Sequence, residues 1–264
     1  MIPLIGYSKY SAANDHKWDY IWVADRKYID NTAAVSMWLP LKGNLAWVAS
    51  GSQRPTWALD VGSKNRGSIT FNGINQCMTC EPLAQYITNW QEYTIGVFCK
   101  LLTSPITANL APVTFSLSTD NNSGVAIQTS SQATDQPKGW MLVQQTSDGS
   151  LNLEILPTPA DNNWNTLFFS TIRTIQDGVP AYSVLSATQN LIDTATINNV
   201  PIRYDQKPLN LDRSTLCAFR GKTLNAFYNY KIRAVCLAKR QLATSGGTSG
   251  PSMRSCSTNF YREL

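Results

Sequence analysis

Hydrophobic and polar positions alternate along much of this chain, most clearly over Tyr93–Leu101 (YTIGVFCKL). Tyr93, Ile95, Val97, Cys99 and Leu101 share one parity and Thr94, Gly96 and Lys100 the other, which predicts a strand with one buried face. Phe98 is the apolar exception on the outer parity and predicts that this face is partly covered too. Pro112–Ser118 (PVTFSLS) alternates again, and Leu151, Leu153 and Ile155 face in while Asn152 and Glu154 face out. Trp164–Ile172 and Ala181–Ala187 read as strands joined by Asp177-Gly178. In the last run, Tyr230, Ile232, Ala234 and Cys236 share a face against Lys231 and Arg233. Asn72-Gly73 and Asp148-Gly149 are tight-turn signals, because glycine takes the positive φ such turns need. No long helical period interrupts them. About a dozen short strands separated by turns predict two packed antiparallel sheets.

The order of these pieces resembles the laminin-G-like, concanavalin-A-like jelly roll. SITFNGINQCMTC followed by YTIGVFCKL resembles that family's turn and long central strand. Val35–Asn44 (VSMWLPLKGN) resembles its opening strand, Lys138–Ile155 its Gly-turned hairpin, and Leu224–Leu242 its closing strand and turn. Asn229-Tyr230 departs from the glycine that the family often carries in the last strand. The resemblance implies an all-β, two-sheet antiparallel jelly-roll sandwich over residues 33–243. Residues 1–32 form an aromatic N-terminal extension, and residues 244–264 a Gly/Ser-rich C-terminal tail.

Composition narrows the function classes. Hydrophobic residues make up 43% of the 264, enough for a substantial core. Charged residues are only 15%, so Ser, Thr, Asn and Gln must supply the polar surface. The net charge of +5 is scattered, with no basic run longer than Lys239-Arg240, so no nucleic-acid footprint is indicated. No apolar stretch nears the ~20 residues that span a bilayer, so no membrane insertion is expected. The first residues lack the basic start and apolar core of a secretory signal, which predicts synthesis in a cytoplasm without export by the general route.

Candidate chemistry is sparse. Trp18, Tyr20 and Trp22 alternate, and fit either a strap packed on their own domain or an assembly arm docking on a neighbour. Trp47, Trp57 and Trp140 are carbohydrate-stacking candidates, although Trp47 and Trp57 equally suit the core. The terminal Phe260-Tyr261 pair reads as a frayed tail or as an aromatic plug. The resemblance implies calcium in rim loops, for which Asp120 and Asp161 are weak candidates, since Asx turns explain both. No cofactor is otherwise expected. Cys77 and Cys80 form a CxxC with no second pair, which argues against zinc; an even count of six allows disulfides, but several cysteines occupy apolar strand positions and read by default as buried thiols. The resemblance also brings in glucanases with paired carboxylates. Here Glu81, Glu92, Glu154 and Glu263 each lack an acidic neighbour within two positions, and the one histidine, His16, lies in the extension. A non-enzymatic role follows.

These features predict a virion structural protein, such as a capsid decoration, fibre-associated or tail component of a phage. Its partners would be other virion proteins in an oligomeric assembly, with host glycans as a further target. The alternative is a carbohydrate-binding, lectin-like module, and a glycan hydrolase ranks behind it.

Overall fold

The computed structural model describes residues 18–60, 67–87, 93–103, 109–120, 124–129, 139–145, 151–159, 162–176, 179–189, 192–195, 211–220 and 223–239. The first strands are β1 (Tyr20–Val23), β2 (Met37–Trp38), β3 (Trp47–Val48), β4 (Thr56–Leu59), β5 (Gly67–Thr70) and β6 (Met78–Thr79). Then come β7 (Tyr93–Leu101), β8 (Val113–Ser116), β9 (Gly124–Thr129), β10 (Gly139–Gln145), β11 (Leu151–Pro159) and β12 (Trp164–Gln176). The last are β13 (Val179–Gln189), β14 (Ile192–Ala195), β15 (Arg213–Leu216), β16 (Ala218–Arg220), β17 (Leu224–Phe227) and β18 (Tyr230–Ala238). Described helical segments are short 3-10 turns, Arg26–Tyr28, Gly51–Gln53 and Glu81–Tyr86.

These strands build the predicted sandwich. The first sheet runs β14-β13-β12-β7-β18-β5-β4, with β1 also paired to β18. The second runs β11-β10-β9-β8-β15-β6-β3-β2, and β16-β17 is a separate ribbon. All pairings among the described residues are antiparallel, so one face of each sheet can be apolar and the other polar. The inward parity of β7 is the one its alternation predicts: Tyr93, Ile95, Val97, Cys99 and Leu101 are all in the interlayer core. Val113, Phe115, Val125, Ile127, Trp140, Leu142 and Leu216 contribute to it from the second sheet. The Asn72-Gly73 turn also forms as expected, with Gly73 at φ 70 and Asn72 Oδ1 accepting the backbone N–H of Ile74 at 2.9 Å.

Phe98 correctly announces a second apolar layer. On the outer face of the first sheet, Phe98, Phe168, Ala234, Cys236 and Ala238 cluster with Trp18, Ile21 and Val23. Gly96 is required there, because a Cβ would lie 2.5 Å from Cys236 Sγ and inside contact distance of the Phe168 ring.

Two expectations change. Strand β18 does not keep one face throughout. Its register against β7 slips between Ile232 and Ala234, so Arg233 is a bulge residue. One extra residue flips every later side chain. Tyr230 and Ile232 point into the interlayer core, whereas Ala234 and Cys236 belong to the outer cluster and Val235 and Leu237 turn inward. The bulge lies where β18 changes partner from β5, at Lys231 and Ile232, to β1, at Ala234–Leu237.

The second change concerns the N-terminal aromatics. Strand β1 pairs with β18, placing Tyr20 and Trp22 on the interlayer side. Trp18 is 1% exposed, Tyr20 5% and Trp22 0%. The neighbouring backbone is tied in as well: Trp38 Nε1 donates to Val23 O at 2.9 Å and Trp57 Nε1 to Ala24 O at 2.7 Å. Trp18, Tyr20 and Trp22 are therefore core side chains, which removes them as surface anchors of an assembly arm. The rest of the extension and the C-terminal tail lie outside the described residues.

Candidate functional site

The outer face of the first sheet changes character toward the C-terminal end of β7. Cross-strand register aligns Trp164 (β12), Lys100 (β7), Lys231 (β18), Thr70 (β5) and Thr56 (β4) as successive partners. Thr56 is exposed and the other four are half-buried, so the row reaches solvent. Opposed residues on an antiparallel pair have Cβ atoms about 4.5–5.5 Å apart, so the stems of Lys100 and Lys231 rise side by side. Such a like-charge pair is destabilising. Among the described residues, neither lysine has an ion-pair partner.

Arg233 completes the patch. Two positions beyond Lys231, the bulge leaves its side chain on the same face. Its Nε donates to Asp60 Oδ2 at 2.7 Å, and its guanidinium carbon lies 3.8 Å from the Trp164 ring centroid and 5.3 Å from that of Phe98. Asp60 is itself approached by Ser68 Oγ at 3.4 Å. Stacking on an aromatic face contributes about 0.5–2 kcal/mol and fixes the plane of the fork. The carboxylate engages only Nε, which leaves the two terminal nitrogens as oriented donors.

A second polar cluster joins β1 to the Glu81–Tyr86 turn. Tyr20 donates to the Tyr86 hydroxyl at 3.0 Å, and Lys239 Nζ stands 3.5 Å from the Tyr86 ring centroid. The hydrogen bond from Tyr20 and then the nearby Lys239 charge lower the Tyr86 pKa, whereas burial raises that of Tyr20. The cluster anchors a turn.

Other expected sites are rearranged. Trp47 and Trp140 are fully buried and Trp57 is 9% exposed. Trp47 stands edge-on to Trp22 with centroids 5.7 Å apart, and Trp140 packs 6.4 Å from Tyr230. None of the three can stack on a sugar, because each indole already fills the space between the sheets. Asp120 is half-buried beside a turn whose next residues lie outside the described set, as does Asp161. Among the described residues, no three His, Cys, Asp or Glu side chains converge as metal ligands. Cys77, Cys80, Cys99, Cys217 and Cys236 are all buried. Burial pushes Cys80 up to about 12, which keeps it protonated and inert at neutral pH. Glu81 lies on a 3-10 turn and Glu154 on β11, while Glu92, Glu263 and His16 are outside the described residues.

The sequence did mark Lys100, Lys231 and Arg233 as outward-facing, and Trp164 as the start of a strand. It did not show that they meet. Their assembly depends on register between strands about 130 positions apart and on the bulge, neither of which alternation encodes.

No protein-family model matches the chain, and no curated protein matches it in sequence. Solved structures do. A Trypanosoma rangeli sialidase in complex with sialic acid aligns with TM-score 0.57 at 10% identity, covering 96% of this chain and 34% of that one. A complex of Trypanosoma rangeli sialidase with 2,3-difluorosialic acid gives TM-score 0.54 at 10% identity, over 87% of this chain and 32% of that one. The likeness is one of fold. This chain spans about a third of those sialidase chains. The Ruminococcus gnavus IT-sialidase CBM40 bound to α2,3-sialyllactose aligns more loosely, with TM-score 0.42 at 13% identity, covering 58% of this chain and 78% of that one.

Proposed function

We propose that this chain is a non-enzymatic, lectin-like module that binds carbohydrate on the outer face of its first sheet. The observation carrying this reading is the solvent-reaching row of Trp164, Lys100, Lys231, Thr70 and Thr56, flanked by the held Arg233. Sugars present apolar C–H faces and a rim of hydroxyls. A half-buried indole that packs on Phe98 and already carries the Arg233 guanidinium, beside hydroxyl and ammonium donors, all on rigid strands, offers the complementary surface. No catalytic pair is needed for this role. Carriage on a virus particle draws no support from Trp18, Tyr20 and Trp22 as arm anchors, since all three are buried.

Glycan-array screening of the purified chain, followed by calorimetry, tests the reading. Wild-type protein is expected to bind a subset of glycans, and Trp164→Ala to lose about tenfold or more in affinity through the missing indole and a released Arg233. Blank arrays together with unchanged spectra on titration would remove the glycan reading, as would a Trp164→Ala variant that binds normally.

A further inference from the structure

Resting on the glycan reading, we propose that the ligand of this face is an acidic sugar, whose carboxylate or sulfate group is gripped by Arg233 and the Lys100–Lys231 pair. Three features point to an anion. First, the two lysines oppose each other directly across β7 and β18, and no described acid neutralises either. A sheet surface that only needed solubility would alternate signs across strands. Second, Arg233 is restrained before any ligand arrives: Asp60 holds Nε at 2.7 Å and Trp164 holds the plane at 3.8 Å. A fixed guanidinium with free terminal N–H groups suits two parallel hydrogen bonds to a carboxylate or sulfate. Third, Asp60 accepts from Arg233 Nε at one oxygen and is approached by Ser68 at the other, so it orients the arginine, and it forms no ion pair with either lysine.

The geometry also restricts the kind of anion. Trp164 is the cross-strand partner of Lys100 and simultaneously touches Arg233, so an aromatic surface sits inside the cationic group. An apolar ring face next to an anionic substituent is the chemistry of an acidic sugar. Nucleic acid would need an extended basic track, and this patch is one row deep. The uncharged Thr70 and Thr56 continue the row and offer hydroxyls to neutral residues of the same glycan.

The test titrates the whole chain with matched oligosaccharides in three forms, carboxylated, sulfated and neutral, at low and high salt. Wild-type protein should bind one or both acidic forms at least roughly tenfold tighter than the neutral form, with affinity falling as salt rises. The double variant Lys100→Gln/Lys231→Gln should lose roughly tenfold on acidic glycans and flatten the salt dependence. Its melting temperature should equal or exceed wild type, because a like-charge contact is gone. Arg233→Lys, which keeps the charge and removes the fork, should weaken acidic binding more than neutral binding. Preference for the carboxylated or the sulfated arm identifies the anion. Equal binding of acidic and neutral forms, unaltered in the double variant, overturns the acidic-ligand proposal while leaving the glycan reading standing. Equal binding of a polyaspartate peptide also overturns it, by reducing the patch to unspecific charge. Failure to bind any glycan removes both.

Discussion

At the scale of single residues, the buried tryptophans differ in what their nitrogens do, and the difference is measurable. Trp57 Nε1 donates to Ala24 O at 2.7 Å, whereas Nε1 of the more deeply buried Trp47 has no partner among the described residues. Replacing either by Phe removes the same volume. Trp57→Phe should therefore cost about 1 kcal/mol more than Trp47→Phe, the net worth of one buried hydrogen bond. Urea denaturation of both variants decides it, and equal losses would mean the 2.7 Å contact contributes nothing. Gly96 is a harsher case. An added methyl would press on Phe168 and Cys236, both buried in the outer cluster. Gly96→Ala should destabilise by roughly 1–3 kcal/mol through overpacking. A neutral result in the same melts would show that the outer layer is loosely packed.

At the scale of elements, the N-terminal strand separates what alternation encodes from what it omits. The shared face of Tyr20 and Trp22 was legible, whereas Trp18, just ahead of β1, turns to the outer cluster instead; the choice between a strap and an arm was not legible, because that depends on whether β18 has a free edge. It does: beyond the Arg233 bulge β18 leaves β5, and β1 takes the vacated hydrogen bonds. The same bulge made the outward Lys231 and Arg233 legible one by one while hiding the inversion of Ala234 and Cys236. Long regular strands such as β7 were readable because every position obeys one period. The carbohydrate candidates Trp47, Trp57 and Trp140 misled for the opposite reason, since a loop-flanked indole looks the same whether it caps a core or faces water. If β1 is structural, Trp22→Ala should cost about 3–5 kcal/mol, the usual loss for a buried aromatic. A Trp22→Ala protein melting like wild type would restore the idea of a detachable arm.

At the scale of the whole molecule, the core traps acids in their protonated form, and this sets how the fold responds to alkali. Burial pushes Cys80 and Tyr228 up to about 12 and raises Cys99, Cys217 and Tyr230 as well. In the unfolded chain, cysteine releases its proton near pH 8.5 and tyrosine near 10. Above those values the folded state binds more protons than the unfolded one, so stability falls as pH rises. The contribution of each thiol is fully present below about pH 8.5, and each group then removes about 1.4 kcal/mol per pH unit until its folded pKa is reached. Denaturation midpoints measured in reducing buffer should therefore hold steady from pH 7 to 8.5, decline beyond it, and steepen near pH 10 as the tyrosines join. Cys80→Ala should remove one group's share of that slope while keeping its sign, because Cys99 and Cys217 titrate in the same direction. The interlayer core and the alkaline limit share one cause: both arise because thiols and phenols serve as apolar filling between two sheets short of charge. A midpoint that stays constant from pH 8.5 to 10.5 would place water at those side chains in the folded state and contradict the sealed core from which the sandwich draws its stability.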